Sequence, residues 1–252
     1  MRKNDISLID IPLALVLLTR LPIPRLSATT FQRQAQSVWA FPLAGAAVSL
    51  LACALAWTAL MLGLTPGLAA GVFIAVQIVS TGAMHEDGLA DCADGFWGGY
   101  ETGRRLEIMK DSQIGTYGVL SIVVVLGVRW QAVALLLMAQ NLWSLLALAM
   151  LSRAFMPFLM RLLPNARKSG LSQSVGRPGL LAVVAGLGLA LLLSLPLLGV
   201  TGFGVAMVMA VAALALAFLA KRKIGGQTGD VLGACQQLCE LAGLLYLVAL
   251  LT

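Results

Sequence analysis

Charge is scarce in this chain. Only 11% of its residues are Asp, Glu, Lys or Arg, and 60% are hydrophobic. A soluble domain carries roughly 25% charged residues, so the scarcity excludes an ordinary soluble protein. Cysteine is scarce too. Cys53, Cys92, Cys235 and Cys239 stand at no metal-ligand spacing, which excludes a disulfide framework and a zinc site. Cys235 and Cys239, one helical turn apart, read as small packing residues. There is a single histidine, His85. The net charge of +6 is not a nucleic-acid signature, because its basic residues collect in a few segments where membrane topology wants them.

What is abundant is apolar length. Runs at about 41–63, 66–84, 117–139, 141–161, 179–199, 201–220 and 232–252 are each long enough to cross a bilayer. Backbone hydrogen bonding must close within each segment, so the spans are helices. The expected fold is all-α: a polytopic membrane protein of about seven transmembrane helices, one membrane-embedded catalytic domain over 1–252. Before the first span, Arg2 and Lys3 precede a short apolar run, Leu13 to Leu18, interrupted upstream by Asp10 and Pro12. This run is short for a span and lacks a small-x-small cleavage site, so it reads as an interfacial or re-entrant helix. The connections at Leu64-Thr65, Gln140 and Val200 carry no charge, whereas segments 1–40, 85–116, 161–178 and 221–231 hold every Lys and Arg except Arg129 and Arg153. Basic segments stay cytoplasmic. An acidic cytoplasmic loop is therefore expected between spans 2 and 3, and the C-terminus outside.

That loop opens with Met84-His85-Glu86-Asp87-Gly88-Leu89-Ala90-Asp91-Cys92-Ala93-Asp94-Gly95. On a helix, Asp87, Asp91 and Asp94 fall within about 60° of one another at ~100° per residue. Three like charges on one face call for a cation between them, and hard oxygen ligands suit Mg²⁺ or Mn²⁺. Gly88 and Gly95 leave room for a substrate near the backbone. Glu86 points about 100° away from Asp87 and His85 about 160° away; Glu86 is expected to matter little and His85 to support the site from behind. Further on, Glu107 and Asp111 stand one turn apart beside Arg104, Arg105 and Lys110. Carboxylates for metal with guanidinium and ammonium for phosphate are the equipment of phosphoryl transfer. Gly225-Gly226-Gln227-Thr228-Gly229-Asp230 opens the last span with backbone amides free for an anion, and Asp230 is either a metal ligand or a helix cap. Inside the spans, Arg153 and Glu240 lie at a similar depth, roughly 12–14 Å from the basic side at 1.5 Å per residue, and are expected to pair.

These segments together resemble the cobalamin synthase family, the adenosylcobinamide-GDP ribazoletransferases. The resemblance rests on three blocks: His85-x-Asp87-Gly88-Leu89-Ala90-Asp91-x-Ala93-Asp94-Gly95, Arg104 through Gly118, and Gly225-Gly226-x-Thr228-Gly229-Asp230-x-Leu232-Gly233-Ala234. It extends to Phe41-Pro42-Leu43-Ala44-Gly45 and Leu18-Thr19-Arg20-Leu21-Pro22. Glu86 stands where that family usually has an apolar residue, and Gln113 where it often has a basic one.

The resemblance implies an inner-membrane enzyme with its active site on the cytoplasmic side. It would join alpha-ribazole, or its 5′-phosphate, to adenosylcobinamide-GDP, with Mg²⁺ and release of GMP. It implies metal ligands at Asp87, Asp91, Asp94 and Asp230. Asp111 and Glu107 would serve as base or second-metal residues, Arg104, Arg105 and Lys110 as diphosphate contacts, and His85, Arg153, Gly225, Gly226 and Thr228 as substrate contacts. The partners implied are these small molecules and the bilayer, with a homo-oligomer or other cobalamin-assembly enzymes as protein partners and no nucleic acid. Two other classes share part of the pattern. A CDP-alcohol phosphotransferase has Arg where Asp91 follows Ala90, and a cation-coupled transporter wants mid-membrane acids and a repeat between halves, where here most acids cluster at one face.

Overall fold

The computed structural model describes residues 6–251, so Arg2, Lys3 and Thr252 lie outside it. Every regular element among the described residues is helical. In order they are α1 (Asp10–Leu18), α2 (Gln34–Ser37) flanked by 3-10 turns at Thr30–Arg33 and Val38–Ala40, α3 (Phe41–Met61), α4 (Pro66–Thr81), α5 (Met84–Gly98), α6 (Thr102–Ile108), α7 (Thr116–Met138), α8 (Leu142–Leu162), α9 (Leu171–Val175), α10 (Leu180–Leu198), α11 (Thr201–Ile224) and α12 (Gly229–Ala249). Among the described residues, six stretches are long and apolar enough to cross a membrane: Thr30–Met61, which contains α3, then α7, α8, α10, α11 and α12. Taken together, α4 and α5 are long and apolar enough for a seventh, but they are bent by 86° where they join.

The bend corrects two expectations. The second span ends at Thr81 rather than residue 84, and the acidic segment is not a loop but a 15-residue helix turned sharply off α4. Gly82 (φ +65°) and Ala83 (φ +59°) both take the left-handed conformation, which ends one helix and re-aims the next. Glycine accepts that conformation freely; alanine does so only at a cost. We read α4 as the span and α5 as lying outside the spans, across their end.

The short N-terminal run is a helix of nine residues, too short to span, and Asp10 anchors it. Arg33 donates to both Asp10 oxygens, at 2.8 and 3.0 Å, and the Trp39 indole N–H donates at 2.9 Å. Burial pushes the Asp10 carboxyl upward, but these donors outweigh it and hold it below its ordinary value.

At the centre stands α8, buried on nearly every side from Ser144 to Met160. A helix apolar all round belongs in a core. Around it α7, α10 and α11 turn large apolar residues outward, among them Val123, Leu192 and Phe203, as lipid-facing helices do. One end of the bundle holds the uncharged turns; residues around Leu60–Pro66 and Leu137–Trp143 meet there along one groove. The other end gathers α5, α6, the 163–170 strip and the 225–228 turn. Lys223 donates to the Phe96 carbonyl, Arg105 to the Lys223 carbonyl and Arg167 to the Leu106 carbonyl. This is the basic end.

Candidate active site

The site forms where α5 crosses the start of α12. Gly88 and Gly233 let the two helices touch. A Cβ at Gly88 would lie 2.7 Å from the Asp230 carbonyl oxygen, and one at Gly233 would lie 3.1 Å from the His85 Cα. This contact sets Asp87 and Asp91 of α5 opposite Asp230 of α12. Thr228 caps α12, its hydroxyl accepting from the Val231 N–H and donating to Asp230 Oδ2 at 3.1 Å. The carboxylates repel one another. Burial, then the charges of Asp230 and Asp87, push the Asp91 carboxyl up to about 7, with Arg167 opposing the shift and Asp94 adding a smaller upward push.

Arg167 is the cation on this face. Its Nη1 donates to Asp230 Oδ2 at 2.9 Å. A short backbone pairing holds its strip in place: the Gln227 N–H donates to the Pro164 carbonyl and the Ala166 N–H to the Gln227 carbonyl, each at 2.8 Å. A side chain at Gly226 would collide with the Pro164 carbonyl, and Gly225 closes α11 at φ +78°. Both glycines therefore build the turn, and neither lines the cavity. That cavity, about 210 Å³, is lined by His85, Asp87, Arg167, Thr228 and Asp230, by the amide side chains Asn165, Gln173 and Gln227 with Ser172, and by an apolar wall including Leu17, Phe41, Met156 and Met160. The amides and Ser172 bond to one another, Ser172 donating to Gln227 at 2.6 Å and Asn165 to Gln173 at 2.6 Å.

A model of the cobalamin-5-phosphate synthase family matches residues 10–248. The chain belongs to that family. A ribazoletransferase of Azorhizobium caulinodans, named adenosylcobinamide-GDP ribazoletransferase, is 44% identical over 97% of this chain and 97% of its own. Proteins of the same name from Bradyrhizobium diazoefficiens and Mesorhizobium japonicum are 42% and 41% identical, covering 95% and 94% of this chain and 93% and 91% of theirs. No solved structure matches.

In this member of the synthase family the expected residues divide into three groups. Asp87, Asp230, Thr228 and His85 line the cavity together, and Asp91 stands beside Asp87 and Asp230, near enough to feel their charges, without lining it. Asp94 does not join them, although it shares their helix face. Seven residues of rise carry it about 10 Å along α5 from Asp87, and its two oxygens accept from the Gly115 N–H at 2.7 Å and the Gly118 N–H at 2.9 Å. It caps the start of α7. The third group is displaced outward: Arg104 pairs with Glu107 in the open at 3.2 Å, Lys110 and Asp111 are exposed, and Arg105 donates to the Gly99 and Lys223 carbonyls. None of these five lines the cavity. Among the described residues no three His, Cys, Asp or Glu side chains form a group that could hold a metal ion. The donor chemistry of Asp87, Asp91 and Asp230 nonetheless suits a hard cation, because three facing carboxylates have one arginine among them.

Beneath the cavity lies a buried ionic network. Arg129 of α7 donates to Glu240 at 2.7 Å, to Gln77 at 2.7 Å and to Gln237 at 2.6 Å. Glu86 stands 3.7 Å from Arg129 and accepts from Gln237 at 2.9 Å. Arg153 reaches Glu240 at 3.8 Å and donates to the Ala149 carbonyl. Two arginines thus meet two glutamates. The expected Arg153–Glu240 pair exists, but Arg129 is the closer partner. Arg153 is buried and does not line the cavity. Glu86 is no bystander, because the bend at Gly82-Ala83 turns its side chain inward onto Gln237.

Sequence reasoning counted Arg167 only as topological charge. Asn165, Gln173 and Gln227 gave no signal, being polar residues in polar segments. Gln77, Gln236 and Gln237 did leave one: polar side chains inside apolar runs.

Proposed function

We propose that the chain joins alpha-ribazole, or its 5′-phosphate, to adenosylcobinamide-GDP in assembling the nucleotide loop of cobalamin, with release of GMP. A ribazole hydroxyl oxygen bonds to the phosphorus that carries the cobinamide. The bond from that phosphorus to the bridging oxygen of the diphosphate breaks, GMP leaves with that oxygen, and the hydroxyl proton passes to a base. The observation that carries this reading is the meeting of Asp87, Asp91 and Asp230 with Arg167 at one end of the bundle. Asp87, Asp91 and Asp230 would hold Mg²⁺, or Mn²⁺ in its place. When bound, the ion neutralises the diphosphate and the leaving GMP. Thr228 orients the Asp230 carboxylate. The apolar wall, with Leu17, Phe41 and Met160, excludes water from one side of the reacting groups.

The basic end faces the cytoplasm of an inner membrane in this proposal, since basic segments stay inside. A cysteine at Arg105 should then be shielded from an impermeant reagent outside intact cells, and one at Thr65 should react.

The test of function is GMP release by the purified chain in lipid nanodiscs from adenosylcobinamide-GDP and alpha-ribazole, with Mg²⁺ and with chelator. Release that needs both substrates and Mg²⁺ supports the proposal. CMP release from a CDP-alcohol, with no GMP release, overturns it in favour of an alcohol phosphotransferase.

A further inference from the structure

We propose that Arg167 is the side chain through which the cavity holds the diphosphate of its nucleotide-linked substrate. The inference rests on the reaction just proposed and names a contact within it.

Four observations converge on Arg167. Among the described residues it is the one Lys or Arg that lines the cavity. Its donors are unevenly spent: Nη1 meets Asp230 at 2.9 Å and Nη2 the Leu106 carbonyl at 3.2 Å, while the buried Nε–H has no partner. A planar guanidinium presents several donors in a fork that fits phosphate oxygens, and a buried donor left idle is one that a ligand can satisfy. The strip leading into it is tied down, because Pro164 and Ala166 are both bonded to the Gln227 backbone. Finally, three neighbouring cations at this end are committed elsewhere. Arg105 spends donors on two backbone carbonyls, Lys223 on the Phe96 carbonyl, and Arg104 sits in solvent with Glu107.

The charge arithmetic points the same way. Asp87, Asp91 and Asp230 repel a diphosphate, and Arg167 is the group of opposite sign placed among them. In the free protein Arg167 answers Asp230. With a diphosphate present, the idle Nε–H turns to a phosphate oxygen, and Nη1 is shared between that oxygen and Asp230.

The test uses the full chain in nanodiscs with Mg²⁺, GDP and guanosine as probes, and thermal melting alongside. Wild type should bind GDP at least tenfold more tightly than guanosine. R167Q should lose most of that preference while guanosine affinity stays unchanged. A merely structural role would weaken both probes alike, so equal losses overturn the inference, as does a GDP preference that survives in R167Q. R167K keeps the charge and the Asp230 pair but not the fork; it should lose a several-fold part of the preference. It carries the test if R167Q is not recovered folded, and an unchanged preference in R167K then counts against the contact. A wild type without GDP preference also overturns it. A wild type that prefers GDP through Arg167 yet releases no GMP from adenosylcobinamide-GDP leaves the contact standing and sinks the reaction.

Discussion

Gly88 of α5 rests against the backbone of Asp230, so close that a Cβ there would come within 2.7 Å of the carbonyl oxygen and 3.0 Å of the Cα. The obstacles are backbone atoms and cannot swing aside. Gly88→Ala should therefore prise α5 off α12 and separate the facing carboxylates. We expect a loss of about 1–3 kcal/mol in stability from overpacking and at least a tenfold fall in GMP release. Gly103→Ala, in open space on α6, should change neither, and equal behaviour of the two variants would refute the close-contact reading.

Arg129 and Glu240 form the shortest ion pair in the apolar interior, at 2.7 Å. Arg129→Met or Glu240→Met alone strands a buried charge, at a cost of about 3–5 kcal/mol. The double variant leaves Glu86 and Arg153 to balance each other and should lose clearly less than the sum. Denaturant unfolding in detergent measures the cycle. Additive losses would exclude direct coupling.

Glu86 separates a sequence expectation from a structural one. Its helical angle from Asp87 marked Glu86→Leu as harmless. Buried, and accepting from Gln237 at 2.9 Å, it should instead cost on the order of 3 kcal/mol on conversion to Leu, by stranding part of the Arg129 charge. Glu86→Gln keeps an acceptor for Gln237 and should cost less. Melting temperatures of the two variants decide the matter; a Leu variant as stable as wild type would restore the earlier view.

Asp94 and Asp87 should fail in different ways. Asp94→Asn weakens two charge-assisted bonds at the start of α7, a loss of roughly 1.5–3 kcal/mol, read as a lower melting temperature. Asp87→Asn should leave melting unchanged and abolish most GMP release, with a shifted Mg²⁺ requirement. Reversed behaviour would return Asp94 to the cation site.

Asp10 gives a pH signature. Its carboxyl is held below the ordinary value of about 3.9 by Arg33, Trp39 and Ser7 against the opposing effect of burial. A group depressed on folding stabilises above its unfolded pKa and loses that stabilisation as pH falls through the folded value. Wild type should thus lose stability below about pH 4 relative to Asp10→Asn, with a constant difference between them from pH 5 to 8. A gap between the two melting curves that narrows only above pH 6 would assign the effect to another group.

How much of this was legible in the sequence follows from the length scale of each signal. Apolar runs are long and uniform, so α3, α7, α8, α10, α11 and α12 read out with boundaries within a few residues. Helical spacing placed Asp87 and Asp91 together, because angle and rise agree over one turn. It failed for Asp94, where the angle still agrees but the rise has accumulated. The Gly82-Ala83 bend was invisible because alanine carries no turn signal, and through it Glu86 was assigned to the wrong side. Arg167 reaches Asp230 across 63 residues of chain, a pairing that no local pattern encodes. Arg129 and Arg153 stood out as the two basic residues lying inside the spans. Choosing which of them Glu240 meets first required the packing of α7 against α12.

The ionic network also imposes an order on the protein's manufacture. Chains emerge N-terminus first, so Arg129 enters the membrane before Glu240 has been made. The partners already present are Gln77 and Glu86, both within its reach in the finished structure. Arg153 follows, and until α12 arrives two arginines share one glutamate. The last helix is thus the electrostatic closing piece. A chain halted after α11 should be recognised by quality-control proteases and turned over faster than one halted after Ala249, and addition of Glu240→Gln to the full chain should reproduce part of that instability.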